Sequence, residues 1–403
     1  MTAEQALNIY RQAFLKNGLE GVRKAKIDQL EGLDELLPGL HYEALAWDAL
    51  RLEHPGWSYV CLRAAAEHCA DEGRSAEVQR LLAAADTVLA SSFPPYDFDG
   101  AVLREVREWA SIRVDERAQK TPPSTVATDL KHRWMFRLVR TQQMERPLRI
   151  EELAGCLGLG PLDKILLWTL AGLPGGAVPL ALGELVELIR DEGEGRIPYF
   201  ERFDPRAPLM QWELVHLTTN EHRTARLRGV ELDEAVLAWL EDRDAWPHVL
   251  RDVARPLASV EADEAHFGLG MWRHLQRMVD RGVPVVVRCP VESAGRDLVV
   301  SWATEQKVLE VQSTPNAVQA RVLAREARLR KALVLVGMAC QPTPPLLEIA
   351  GLVPTVFLAD DERWAVLRDR LEGSVDLVLA SPERHLRAGL WNEALAAIKF
   401  PEL

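Results

Sequence analysis

The stretch VVVRCPVESAGRDLVVSWA, residues 285–303, sets four β-favouring residues before a turn-rich segment and an apolar-periodic segment after it. Strand, loop and helix in that order is the setting that phosphate binding by the pattern GxxxxGK[ST] requires. Its glycines turn backbone N–H groups toward the phosphates, its Lys neutralises them and its hydroxyl holds Mg²⁺. Laid on that pattern, Pro290 stands at the first Gly, Gly295 at the second, Arg296 at the Lys and Asp297 at the Ser/Thr. Pro290 has no N–H to offer. Glu292 places a carboxylate where a polyphosphate would lie, and Asp297 is expected to cap the helix. At ~4 Å and an effective dielectric of about 20, each like-charge contact opposes binding by about 4 kcal/mol.

A nucleotide hydrolase also needs carboxylates at the end of a neighbouring strand, one for the metal and one to position water. ALVLVGMACQ (332–341) offers Gly337 and Met338 there. Both losses point to a chain that binds neither ATP nor Mg²⁺ and is not an enzyme, its vacated cavity filled by Glu292, Arg296 and Met338. An Arg296–Glu292 or Arg296–Asp297 contact is the specific expectation. The alternative is a divergent NTPase that binds ATP and Mg²⁺ through Gly295 and Arg296, with Asp360 or Asp361 replacing the lost carboxylates.

Other residues offer weaker chemistry. KHRWMFRLVR (131–140) carries Arg133, Arg137 and Arg140, which would track phosphate or an acidic partner if the helix face is open. ADDER (359–363) follows a candidate strand, and its acidic residues are expected to cap the next helix. DEAH (263–266) matches a helicase motif in letters alone, since it precedes the loop and follows no apolar run. His216 and His222 flank TTNEH without a metal-ligand spacing, so no metal is expected. The five cysteines are scattered, contain no CxxC pair and read as reduced, buried small hydrophobes.

Three kinds of element must position these residues. Residues 1–116 read as helices, with LRAAAEHCADEGRSAEVQRLLAAADTVLA giving two apolar stripes broken at DEGRS. Residues 117–128 form a polar, proline-bearing linker. In 129–245, helices precede PLMQWELVHLTTNEHRTARLRGVEL, which alternates as two strands about a TTNEH turn, the order of a winged-helix-like α+β module. In 246–403, strands are predicted at 284–288, 307–311, 332–337, 354–359 and 375–380 with helical patterns between them. Five short apolar strands so spaced predict an α/β domain with a five-stranded parallel sheet covered on both faces.

At 403 residues the chain is long enough for two or three such cores. Its formal charge of −12 disfavours general attraction to nucleic acid or anionic lipid, so DNA binding is expected only through a local face of 129–245. No signal peptide and no apolar run near the ~18 residues of a membrane span are evident, which reads as a cytoplasmic protein.

With these residues in view, 129–398 resembles AAA+ ATPases with a winged-helix-type N-terminal region, of the kind that accompany phage-tail-like contractile injection systems. GLGPLDKILLWTLAGL, FDPRAPLMQWELVHL and AREARLRKALVLVGMA carry the likeness, together with VDLVLASPERHLRAGLWNEAL, in which Pro382, Arg387, Leu390 and Trp391 fit a P…R-x-x-L-W pattern. The resemblance implies a P-loop sheet, whose fourth strand lies beside the pocket, and protein partners. It departs from the family at both nucleotide motifs and stops about twelve residues after Trp391, before most of the family's helical lid. The function it implies is that of a non-catalytic adaptor, scaffold or regulatory subunit. A winged-helix DNA-binding regulator is the remaining alternative.

Overall fold

A capping box starts the chain. Thr2 accepts from the Gln5 N–H while Gln5 reaches back to Thr2, and α1 (Ala3–Lys24) runs on from there, kinked at Asn17 and Gly18. Helices α2 (Pro38–Arg51), α3 (Pro55–Asp71) and α4 (Ser75–Ser92) follow. The DEGRS break is where the sequence puts it, turned by Gly73 at a φ of 73°. Leu7, Tyr10, Trp47, Leu62, Leu81 and Val88 share the core of these four helices. At its centre the buried Glu43 accepts from Arg11 at 2.7 Å, from Arg80 at 2.7 Å and from the Trp47 indole at 3.1 Å. Burial pushes this carboxyl up, but the two guanidinium groups outweigh it and hold its pKa down at about 2.

Next come α5 (Asp99–Ala118), α6 (Thr125–Gln142), α7 (Arg149–Leu157), α8 (Pro161–Gly172), α9 (Leu182–Ile189), α10 (Ile197–Glu201) and α11 (Pro208–Gln211). Trp109 of α5, Trp134 of α6 and Trp168 of α8 are buried. The expected hairpin is present as β1 (Val215–Leu217) and β2 (Val230–Leu232), antiparallel with Val215 opposite Leu232. Asp233 caps α12 (Glu234–Leu240), accepting from the N–H groups of Ala235 and Val236.

The computed structural model describes residues 1–26, 32–142, 148–173, 180–190, 195–218, 225–257, 269–290, 292–302, 307–371 and 373–379. They form two compact units. One comprises Met1–Gly155, Leu159–Arg202 and Val215–Asp244; the other comprises Cys156–Gly158, Phe203–Leu214 and the chain from Ala245. Most of TTNEH with His222, the whole of DEAH, and Pro382, Arg387, Leu390 and Trp391 lie outside the described residues.

The second unit is built on a sheet. Its elements are β3 (Ala254–Leu257), α13 (Leu269–Asp280), β4 (Val285–Arg288), α14 (Glu292–Trp302), β5 (Lys307–Val311), α15 (Ala317–Arg330), β6 (Ala332–Val336), α16 (Pro344–Leu352), β7 (Thr355–Ala359), α17 (Asp361–Arg368) and β8 (Val375–Val378). All five predicted strands form and pair in parallel, in the order β5, β6, β7, β4, β8. The expectation of a five-stranded, wholly parallel sheet needs correction. A sixth strand, β3, pairs antiparallel with β5 and makes the sheet mixed. Pro256 explains its place, because a residue without an N–H is tolerated on an edge. Every residue of β6 and β7 is buried, as central strands covered on both faces require. One face of the sheet packs Val285, Val287, Leu333, Leu335, Val356 and Leu358 against Leu275 and Val279 of α13 and Leu298 and Val299 of α14.

Candidate functional site

The residues that the sequence singles out in the second unit converge at the carboxyl ends of β4, β6 and β7, the position at which open α/β sheets place their ligands. The local geometry differs from the one expected. Strand β4 ends at Arg288 and α14 begins at Glu292, so only three residues separate them. Glu292 opens the helix, and Gly295, Arg296 and Asp297 lie inside it instead of in a loop. Asp297 is therefore not the cap; it is exposed in the helix interior. Past the first four residues of a helix the backbone N–H groups are taken by the i−4 ladder, so those of Arg296 and Asp297 cannot turn toward a phosphate.

Close packing fixes the glycine. A Cβ at Gly295 would stand 2.5 Å from the Cys289 sulfur and 3.0 Å from Leu358 Cδ2, so this residue lets α14 settle on the ends of β4 and β7. Glu292 reaches across to the end of β6, where its carboxylate accepts the Met338 N–H at 2.8 Å. It also lies over Gly337, whose added Cβ would meet Glu292 Oε1 at 2.5 Å. At the next peptide, Arg363 from α17 donates through Nη1 to the Met338 carbonyl. A carboxylate and a guanidinium thus hold the N–H and the carbonyl of one residue, Met338, at the end of a central strand. The remaining Arg363 donors, Nε and Nη2, are buried without a hydrogen-bond partner. Burial pushes this guanidinium below its ordinary pKa.

Arg296 does not contact Glu292 or Asp297 in the way expected. Its Nε donates to Glu310 of β5 at 2.5 Å, and Glu310 also accepts from Arg255 of β3 at 2.9 Å. Burial raises the Glu310 carboxyl, and the two arginines more than reverse this, leaving it below the usual carboxylate range. The structure brings together Glu292, Gly337 and Met338, and it draws Arg296 away to a charge pair on the edge of the sheet. Arg363 and Glu310 were missed. Arg363 had a readable signal, since the first turn after a central strand is a ligand position. Glu310 had none, because its role depends on strand register.

The acidic run after β7 behaves as a cap. Asp360 accepts the Arg363 N–H at 2.8 Å, and Asp361 pairs with Arg288 at 2.5 Å. Nearby, burial raises the thiols of Cys289 and Cys340 above their ordinary value. All five cysteines are free.

In the first unit the basic helix is answered from within. Arg137 donates to the Pro94 carbonyl at 2.7 Å, pairs with Glu105 and lies 3.9 Å over the Tyr96 ring. Arg133 stands 3.4 Å from both Glu105 and Glu108, and Arg140 is half-buried. The charges of Arg133 and Arg137 are therefore largely answered by Glu105 and Glu108 of α5. His216 lies 3.4 Å from Asp233. Among the described residues no group of three His, Cys, Asp or Glu is placed to hold a metal, and no helix is long and apolar enough to cross a membrane.

No protein-family model, curated protein or solved structure matches this chain.

Proposed function

We propose that the second unit is a degenerate AAA+-like domain on a P-loop-type sheet, preceded by a winged-helix-like module. In this reading the chain works by binding proteins, as an adaptor, scaffold or regulatory subunit of a contractile injection system or another AAA+ assembly. The observation that carries it is the sheet end: β7 lies between β6 and β4, as the resemblance implies, while the place of a triphosphate is taken by Glu292 on the Met338 peptide. The three-residue connection from β4 to α14 and the diversion of Arg296 to Glu310 support the same conclusion. Phosphate binding by backbone needs several consecutive N–H groups free of other partners; here the helix ladder claims those from Arg296 on, and Glu292 sets a carboxylate at the first turn. A phosphate-release assay of the full chain with MgATP is expected to stay at the no-protein background, and turnover above it would contradict the proposal. Co-purification of the full chain with AAA+ subunits or tail-sheath proteins from its own cells is the positive arm.

A further inference from the structure

A cleft of about 630 Å³ opens in the first unit, lined by α3, α5, α6, α9 and the segment before α6. Its size lies in the range of about 300–1,000 Å³ typical of small-ligand sites. The arginine, lysine and glutamate side chains in the lining are already answered from within the protein. Arg113 is held by Glu116 at 2.8 Å, Glu187 by Arg190 at 2.9 Å and by Arg196 at 2.5 Å, and Lys131 Nζ donates to the Ile189 carbonyl at 2.7 Å. An ion of either sign would leave water for a surface whose charges are committed to other groups.

What remains unanswered in the cleft is apolar. Trp57 and Val60, one turn apart on α3, are 45 % and 38 % exposed, and they share the lining with Trp109, Ala127 and Leu188. Trp47, Trp109, Trp134 and Trp168 of the same unit are buried, whereas the Trp57 indole is left half in water. Its ring is held in place. His132 of α6 stands edge-on to it with ring centroids 5.1 Å apart, and Gly56 lets α3 close on His132, since an added Cβ would lie 2.4 Å from the His132 Cβ. An indole so fixed at a cleft is a pre-organised stacking surface, and a ligand that covers it has little ordering left to offset.

We infer that this cleft binds a small uncharged aromatic molecule, its ring against Trp57 and its apolar body over Val60. Size, an exposed indole held in one position and charges paired among themselves select that class together. An aromatic ion would give up its hydration without gaining a counter-charge, and an aliphatic molecule of the same size would forgo the ring contact.

Calorimetric titration of the full chain with 1-naphthalenemethanol, 1-naphthoate and 1-naphthylmethylammonium keeps the ring constant and varies the charge. The neutral alcohol is expected to bind about tenfold or more tightly than either ion. Trp57→Ala is expected to weaken the alcohol about tenfold with the melting temperature kept, whereas Trp57→Phe retains most of the affinity. Phe98→Ala removes an apolar side chain that is 59 % exposed but outside the lining, and it should leave the affinity unchanged. No heat from the alcohol at millimolar concentration, an ion binding as tightly as the alcohol, unchanged affinity in folded Trp57→Ala, or an equal loss in Phe98→Ala would overturn the assignment. These results do not depend on whether the second unit binds nucleotide.

Discussion

Two carboxylates, one in each compact unit, show two different uses of a charge away from bulk water. Glu43 is enclosed by Arg11, Arg80 and the Trp47 indole, so one side chain ties α1, α2 and α4 together. Glu292 accepts the single N–H of Met338 at the end of β6. The first is a structural pin whose partners come from three helices. The second is a space-filling contact at the position where a sheet of this kind would meet a ligand. The difference teaches how far each unit leans on its charge: the helical core depends on Glu43, and the sheet end depends far less on Glu292.

The largest effect is expected from breaking the pin. Glu43→Ala removes the shared acceptor of Arg11, Arg80 and the Trp47 indole; because the two guanidinium groups are 26 % and 37 % exposed and can rehydrate, chemical denaturation should show a loss of about 3 kcal/mol. Acid titration sharpens the same side of the comparison. The folded pKa of Glu43 is depressed from 4.5 to about 2, so its contribution is complete above the unfolded value and is lost as pH falls through that window. Urea midpoints measured between pH 5 and pH 2 should therefore fall more steeply for the parent chain than for Glu43→Gln.

On the sheet side, Gly295→Ala is expected to destabilise by about 1–3 kcal/mol through overpacking against Cys289 and Leu358. Thermal melting separates this steric role from a phosphate-binding one, because a loop glycine in open space would tolerate the methyl. Glu292→Ala should lose only about 1 kcal/mol, the worth of one hydrogen bond to a peptide. Smallest of all is Arg296→Ala. Its side chain is 36 % exposed, so separation from Glu310 should change stability by less than about 1 kcal/mol and less still in high salt.

The same two regions show what the sequence makes legible. The five parallel strands were readable because each is a short, mostly apolar run containing two or three β-branched residues between helical patterns, and Asp360 was readable as a cap from its place before ERWAVLRDRL. Strand β3 was not, because ARPL has neither alternation nor an apolar run; its pairing comes from β5, where Glu310 sits opposite Arg255. The start of α14 was misplaced by five residues because ESAG has loop-like composition, while packing on β4 and β7 makes it helix. The partners of Arg296, and of Arg133 and Arg137, sit on other elements, and a pattern read along the chain cannot reach them.

The central claim is that the segment from β4 into α14 offers no cradle for a triphosphate. Hydrogen–deuterium exchange of residues 285–302, with and without millimolar MgATP, addresses that segment alone. Unchanged protection is the predicted result, and protection gained there in the presence of nucleotide would contradict it.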